Sequence, residues 1–371
     1  MRSVFASLLA LAAAVALWAP ADGAAATYPP KGRQLYMGVS DGGSKTDYFH
    51  FAKAAGQHIP VMQAFETWNA WSQEAIQRWK RTESRGMLSI STTGCYGCKG
   101  VISPRGIRKG EGDRYLLTVN RKLSEWGKPT YIRLLPEMNG HWNPYAAFNE
   151  DGSSRGRSHK TAQFRKAWKR SVIIIKGGRT KTIDHKLRKN KMPPLKVGRK
   201  GNDPPPKHLP EPKVAFLWVP QTAGSPNVKG NGPRAYWPGG KYVDWVGADI
   251  YGKYPNFAGL NGFYNHFLRK PFVIGEWGPW DVDQPAFTRH LGNWVRKHDR
   301  AKMAIYYQGF GPGNPYQIRH YPASKKALRR ELKRRRWVAR APDSRRPGGH
   351  GHSRTGPDGI PPPKYVRELL R

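Results

Sequence analysis

Two glutamates stand where short apolar segments end, and a carboxyl pair placed that way has a definite chemistry. Glu137 lies in PTYIRLLPEMNGHWNPY (129–145), just past the apolar stretch 131–135 and before the turn-like Met138-Asn139-Gly140. Glu276 lies in PFVIGEWG (271–278), behind the run Phe272-Val273-Ile274. Two carboxyl groups on opposite sides of a glycosidic bond can break it. One holds a proton for the leaving oxygen, and the other stays ionised. Burial against aromatic faces raises the pKa of the acid, while nearby donors keep the second group charged. The bland alternative is a pair of solvated or salt-bridged glutamates, easy to satisfy in a chain this basic. Asp249 in VDWVGADIYG and Glu66 in QAFETW occupy comparable positions. Glu66 reads as a rim residue. Arg133 points inward if its strand alternates with Ile132 and Leu134. It then pairs with a carboxylate near Glu276 or serves as a structural ion pair.

The elements that must position these groups follow a regular rhythm. Apolar and aromatic runs at 35–40, 60–68, 86–92, 129–135, 213–221, 243–252, 271–278 and 301–310 read as eight strands. Between them lie helical stripes, such as Leu116, Val119, Leu123 and Trp126, or Phe164, Trp168, Val172 and Ile175. Strands alternating with helices predict an α/β fold, a single (β/α)8 TIM barrel. Catalytic groups in such barrels sit where strands run into their following loops. Glu137 and Glu276 fall there, on strands four and seven, facing one another across the mouth. A basic, proline-rich insertion at 179–212 follows the fourth helix and is expected to be an irregular surface excursion. The barrel domain is expected to span 27–324. The basic tail 325–371 is expected to be disordered.

Composition bounds the setting. The chain has 64 Lys and Arg against 25 Asp and Glu, a formal charge of +39, which favours anionic glycans or a cell envelope as electrostatic partners. Residues 1–26 carry one Arg, an apolar stretch and small residues at 24–26, the pattern of a cleavable secretory signal. A secreted, extracellular, monomeric protein is therefore expected, with no transmembrane anchor and no specific nucleic-acid partner. Cys95 and Cys98, with no companion pair, suit a small local disulfide better than a zinc site. No metal or organic cofactor is implied.

Taken in order, IRLLPEMNGHWNPY, FLWVPQ, YWPGGKYVDWVGADIYG and FVIGEWG resemble glycoside hydrolase family 26. This is a family of secreted β-mannanases and related β-glucanases within the retaining (β/α)8 glycosidases. The likeness runs from about residue 35 to residue 307. It implies Glu137 as acid/base and Glu276 as nucleophile. It implies Trp142 as an aromatic stacking on a sugar ring, and Asp249 and Tyr251 as binding and nucleophile-orienting residues. Tyr251 would donate its hydroxyl to Glu276, holding the carboxylate charged and aimed. Trp218 matches an aromatic of the strand-five motif, and Trp68, Trp277 and Asn139 complete the expected substrate-binding set. One position departs from the pattern: the family commonly has a histidine immediately before the acid/base, and here Pro136 offers no donor. The leading expectation is a retaining endo-β-glycosidase acting on a β-linked polysaccharide, with β-1,4-mannan the default. The alternative is a non-catalytic carbohydrate- or polyanion-binding protein on a degenerate barrel.

Overall fold

The computed structural model describes residues 27–343, apart from 41–46, 70–73, 95–97, 198–205, 268 and 312. The expected secretory signal and the sequence beyond Asp343 lie outside the described residues. Eight parallel strands close into a barrel: β1 (Leu35–Ser40), β2 (Val61–Glu66), β3 (Arg85–Ile90), β4 (Thr130–Leu134), β5 (Val214–Trp218), β6 (Trp245–Tyr251), β7 (Phe272–Gly278) and β8 (Ala301–Tyr306). Each pairs with the next, and β8 returns to β1 with Tyr36 opposite Met303 and Val39 opposite Tyr306. The expected (β/α)8 barrel is the observed one.

Side chains alternate across each strand, so the closed sheet divides the core into two parts. Tyr36, Val61, Met87, Tyr131, Leu217 and Met303 fill the barrel interior. Met37, Met62, Leu88, Ile132, Phe216 and Ile274 face the surrounding helices. Those helices are α1 (Asp47–Ala55), α2 (Glu74–Thr82), α3 (Pro104–Lys109), α4 (Asp113–Trp126), α5 (Thr161–Lys176), α6 (Thr180–Lys189), α7 (Phe257–His266), α8 (Pro285–Lys297) and α9 (Pro322–Leu332).

Two basic segments are more ordered than their composition suggests. The 179–212 insertion contains α6, whose Ile183 and Leu187 are buried at a four-residue spacing. A two-residue antiparallel ladder, Gly178–Arg179 with His208–Leu209, closes the excursion at its base. Its descending arm is tied down by backbone groups: Leu195 N–H donates to Asp184 at 2.8 Å and Lys196 N–H to Asp113 at 2.9 Å. The expectation of irregular structure throughout is therefore corrected. Charge dominated the composition, but the apolar residues that remain fall on one helical face.

The expected domain limit at residue 324 is likewise corrected, because it falls inside α9. Leu328 and Leu332 are buried, and so is Glu331, which accepts the Trp337 indole N–H at 2.9 Å and pairs with Arg296. Trp337 and Val338 then form a short strand beside Leu35 and Tyr36, below the point where β2 begins pairing at Gly38. The chain finally reaches across the barrel floor. There the Asp343 carboxylate pairs with Arg85, whose Nη1 also donates to Tyr28 O at 2.6 Å and to Tyr131 Oη at 2.9 Å. Cys98 is disulfide-bonded, and the sequence has one other cysteine, Cys95. Among the described residues, no helix is long and apolar enough to cross a membrane.

Ending the chain at residue 324 should abolish cooperative folding, since it removes most of α9 and the strand beneath β1. Asp343→Ala keeps that packing but leaves the enclosed Arg85 guanidinium without its carboxylate. A loss of about 2–3 kcal/mol is expected, the usual range for a charge-assisted pair. Denaturant melts of both variants check this, and an unchanged midpoint for Asp343→Ala would show that the floor contact contributes nothing.

Candidate active site

The carboxyl groups gather at the C-terminal ends of the strands, around one arginine. Arg133 on β4 is fully enclosed within the barrel, where its strand's alternation sends it. Its Nη1 donates to Glu276 Oε1 at 2.5 Å, and its Nη2 pairs with Asp249 Oδ2. Tyr251 donates its hydroxyl to the other Glu276 oxygen at 2.7 Å. Both oxygens of Glu276 are therefore held, and the carboxylate cannot rotate. The β6–β7 register shifts at this level, Ala248 lying opposite Ile274 but Ile250 opposite Trp277. A bulge of this kind redirects side chains. Gly275 sits at it, with Asp249 Oδ1 2.6 Å and Arg133 Nε 3.3 Å from where a Cβ would lie. A larger residue there would displace the ion pair.

Glu137 reaches the same place by a strained path. Leu135 and Glu137 both have left-handed backbones, φ 41° and 49°, on either side of Pro136. Each such residue costs roughly 1–2 kcal/mol, so the surroundings must hold it. Leu135 N–H donates to Ile90 O at 2.9 Å and Glu137 N–H to Val219 O at 2.8 Å, pinning the turn to both neighbouring strands. Asn143 Nδ2 donates to Glu137 O at 2.9 Å, and the Tyr145 hydroxyl to Pro136 O at 2.6 Å. The Glu137 side chain accepts the Trp142 indole N–H at 2.9 Å and the carboxamide N–H of Gln221.

One oxygen each from Glu137, Asp249 and Glu276 lie within 4.8 Å of one another. Three carboxylates this close invite a cation, and Arg133 fills that role for two of them. Burial, then repulsion from Glu276, raises the pKa of Glu137. Burial likewise raises Asp249 well above the usual range, with Arg133 opposing and the other two carboxylates adding to it. Arg133 itself is held more firmly protonated by Asp249 and Glu276 despite its enclosure. The cluster therefore retains a proton. Glu137 and Asp249 are joined by a side-chain hydrogen bond, so the proton is held between them, and Glu137 is the member of that pair with no ion pair to Arg133.

The expected substrate-binding tryptophans divide sharply. Trp142 is 51% exposed beside Glu137. Trp218 is fully buried among Trp237, Phe263 and Phe267, behind β5. Trp277 packs edge-on against Tyr306 at 5.0 Å, and Trp68 packs at a tilt against Tyr115 at 4.6 Å. These three are corrected to core residues. Trp277 follows the inward Glu276, so alternation turns it outward, as it turns Trp218 away from inward Leu217 and Val219. Asn139 is also corrected. It is wholly buried, and its carboxamide accepts from Gln221 N at 2.9 Å and donates to Gln221 O and Ala223 O at 3.0 Å each. It sets the loop that carries Gln221 and does not face a ligand. Glu66 is buried outside the carboxylate cluster.

Residues not singled out from the sequence line the other side of the mouth. Phe65, Phe310, Tyr307, Tyr316 and Trp280 form a continuous aromatic band, with Tyr251 joining it at 5.5 Å from Trp280 and 5.7 Å from Tyr316. Tyr251 ties this band to the carboxylates through its hydroxyl on Glu276.

No protein-family model matches this chain, and no curated protein does. Solved structures do. The YdhT protein from Bacillus subtilis superposes with a TM-score of 0.52 at 14% identity, over 86% of this chain and 90% of that one. Bacillus subtilis mannanase man26 gives 0.51 at 14% identity over the same shares. A GH26 β-mannanase from Bacteroides ovatus gives 0.51 at 13%, over 86% and 95%. The fold is that of the family 26 glycoside hydrolases. At these identities the likeness speaks for architecture, and the chemistry must be argued from the residues above.

The Trp142 indole touches Glu137, so its fluorescence should report that proton. Replacing Glu276 by Gln removes the negative charge that raises Glu137, so the Trp142-dependent transition should move to lower pH. Trp142→Phe supplies the blank. A transition that stays put or rises would show that Glu276 does not act on Glu137.

Proposed function

We propose that this chain is a secreted, retaining endo-β-glycosidase that hydrolyses a β-linked polysaccharide, β-1,4-mannan by default. The observation that carries the proposal is the asymmetric carboxyl pair: Glu276 clamped by Arg133 and Tyr251, and Glu137 with an oxygen within 4.8 Å of it, raised and with no ion pair of its own. Retaining glycosidases place their carboxyl groups about 5–5.5 Å apart, whereas inverting ones leave room for a water. The close approach here favours retention.

In the first step Glu276 attacks the anomeric carbon, and Glu137 gives its proton to the departing glycosidic oxygen. The positive charge of Arg133 then loses one partner, as Glu276 becomes an ester, and turns more fully to Asp249. In the second step Glu137, now ionised, takes a proton from water. That water attacks the anomeric carbon and releases Glu276. Once Glu276 is neutral, Glu137 loses the repulsion that adds to the effect of burial, so its pKa falls as its role changes from acid to base. Trp142 offers a face to the sugar beyond the bond. Pro136 brings no donor, and Gln221 and Trp142 supply the hydrogen bonds to Glu137 instead.

Reducing-sugar release from β-mannans, β-glucans and xylans tests the reading. Wild type should act on at least one polymer with retention at the anomeric carbon, and Glu276→Gln should lose at least about 10³ in kcat, roughly 4 kcal/mol. Glu137→Gln should spare activated aryl glycosides, which need no proton on the leaving group, far more than polysaccharide. Silence from wild type on every polymer, with binding intact, would instead favour a carbohydrate-binding protein on this barrel.

A further inference from the structure

The side of the cleft beyond Trp142 is built of cations. A hollow of about 500 Å³ opens there, walled by Trp142 and Pro144 and by Lys99, Arg155 and His159. A second, of about 310 Å³, is lined by Arg105, Arg108, Arg157, Lys160 and Gln163. The two are neighbours. Ser103 and Arg105, Arg155 and Arg157, and His159 and Lys160 divide between them, and Arg105 N–H donates to Ser158 O at 3.1 Å. Neither hollow is lined by a carboxylate.

Among the described residues, no acidic side chain forms an ion pair with any of these cations. Arg155 is held instead by neutral oxygens, donating to Asn149 Oδ1 at 2.9 Å and to Asn143 O at 2.6 Å. Arg108 Nε is buried with no hydrogen-bond partner. The second hollow also lies at the start of α5, a sixteen-residue helix with no side-chain cap and no acidic residue in its first turn. The helix therefore adds its positive end to the four side chains. Four uncompensated cations converging on one hollow are unfavourable without a counter-charge.

Resting on the glycosidase reading above, we propose that the substrate is an acidic polysaccharide whose carboxylate or sulfate substituents occupy these two hollows. A chain stacked on Trp142 with its bond at Glu137 leads directly into the first hollow, and its next charged units into the second. Arginine recognises both groups through paired N–H donors, and the three arginines with Lys160 give the second hollow its reach.

The test measures binding by the inactive Glu276→Gln protein, so turnover plays no part. Its probes are one β-mannan in neutral, carboxymethylated and sulfated forms, at low and high salt. Because the whole chain is basic, the decisive comparison is between two sets of substitutions of equal charge. One is Arg105→Gln, Arg108→Gln, Arg157→Gln and Lys160→Gln. The other is Lys181→Gln, Lys186→Gln, Arg188→Gln and Lys189→Gln on the exposed face of α6. The first set should lower the affinity ratio of charged to neutral polymer at least about tenfold, and the second set much less. A triple variant at the exposed positions Arg105, Arg157 and Lys160 repeats the test should the first set fold poorly. Preference for one charged form identifies the substituent. Equal losses from both sets, or no loss from either, would overturn the proposal by showing that only the diffuse charge acts. If the ratio behaves as expected but wild type hydrolyses no polymer, the glycosidase reading falls and the anionic site stands.

Discussion

Everything at the mouth of this barrel depends on a single guanidinium. Arg133 is enclosed, charged, and joined to two of three neighbouring carboxylates. Burying an ion without compensation costs several kcal/mol, so Asp249 and Glu276 are what allow Arg133 to be there, and Arg133 is what allows them to stay close. The third carboxyl, Glu137, gains no such partner. The difference between two chemically identical side chains, one clamped and one sharing a proton with Asp249, comes from which of them the arginine pairs with. A single cation thus separates the two roles that glycoside hydrolysis requires.

The backbone is arranged around that separation. Glu137 stands on a turn with two left-handed residues, and the energy stored there is held by hydrogen bonds to β3 and to the chain just past β5, together with those from Asn143 and Tyr145. Strain of this kind fixes the direction of a side chain, because relaxation in any direction breaks several of those bonds. The loop carrying Gln221 is fixed in turn by Asn139, whose carboxamide is fully used. Residues that read from the sequence as ligands for sugar act here one step further back, on the geometry of those that touch it.

The barrel was legible because its signal is periodic. Eight short apolar runs with helical stripes between them allow few other folds, and the strand ends mark where chemistry can lie. Glu137, Glu276 and Asp249 followed from those positions, and Tyr251 and Trp142 from the resemblance of their motifs to family 26. The errors have a common origin. Trp68, Trp218 and Trp277 were read by residue type, although strand alternation already turns a tryptophan outward when its neighbour points in. The aromatic band of Phe65, Phe310, Tyr307, Tyr316 and Trp280 escaped notice because its members come from β2 and from separate loops, and nothing in one stretch of sequence shows that they meet. In the insertion and after residue 324, Ile183 with Leu187 and Leu328 with Leu332 carry helical periodicity within strongly basic runs. Composition averaged over the segment hid it.

The same distinction between average and placement governs the charge. A formal excess of +39 suggests a protein that attracts any polyanion. At physiological ionic strength, however, the field of an exposed charge fades over about 8 Å. The basic residues of α6 and α9 line neither hollow, whatever they contribute to first encounter. Cations that converge on one hollow differ, because their fields add at the point where a charged substituent would sit. Arg105, Arg108, Arg157 and Lys160 are in that position, next to the one aromatic face that touches the acid/base. The net charge of the molecule governs how it approaches a polymer. On the proposed reading, these few groups beside Trp142 govern which polymer is held across the bond to be broken.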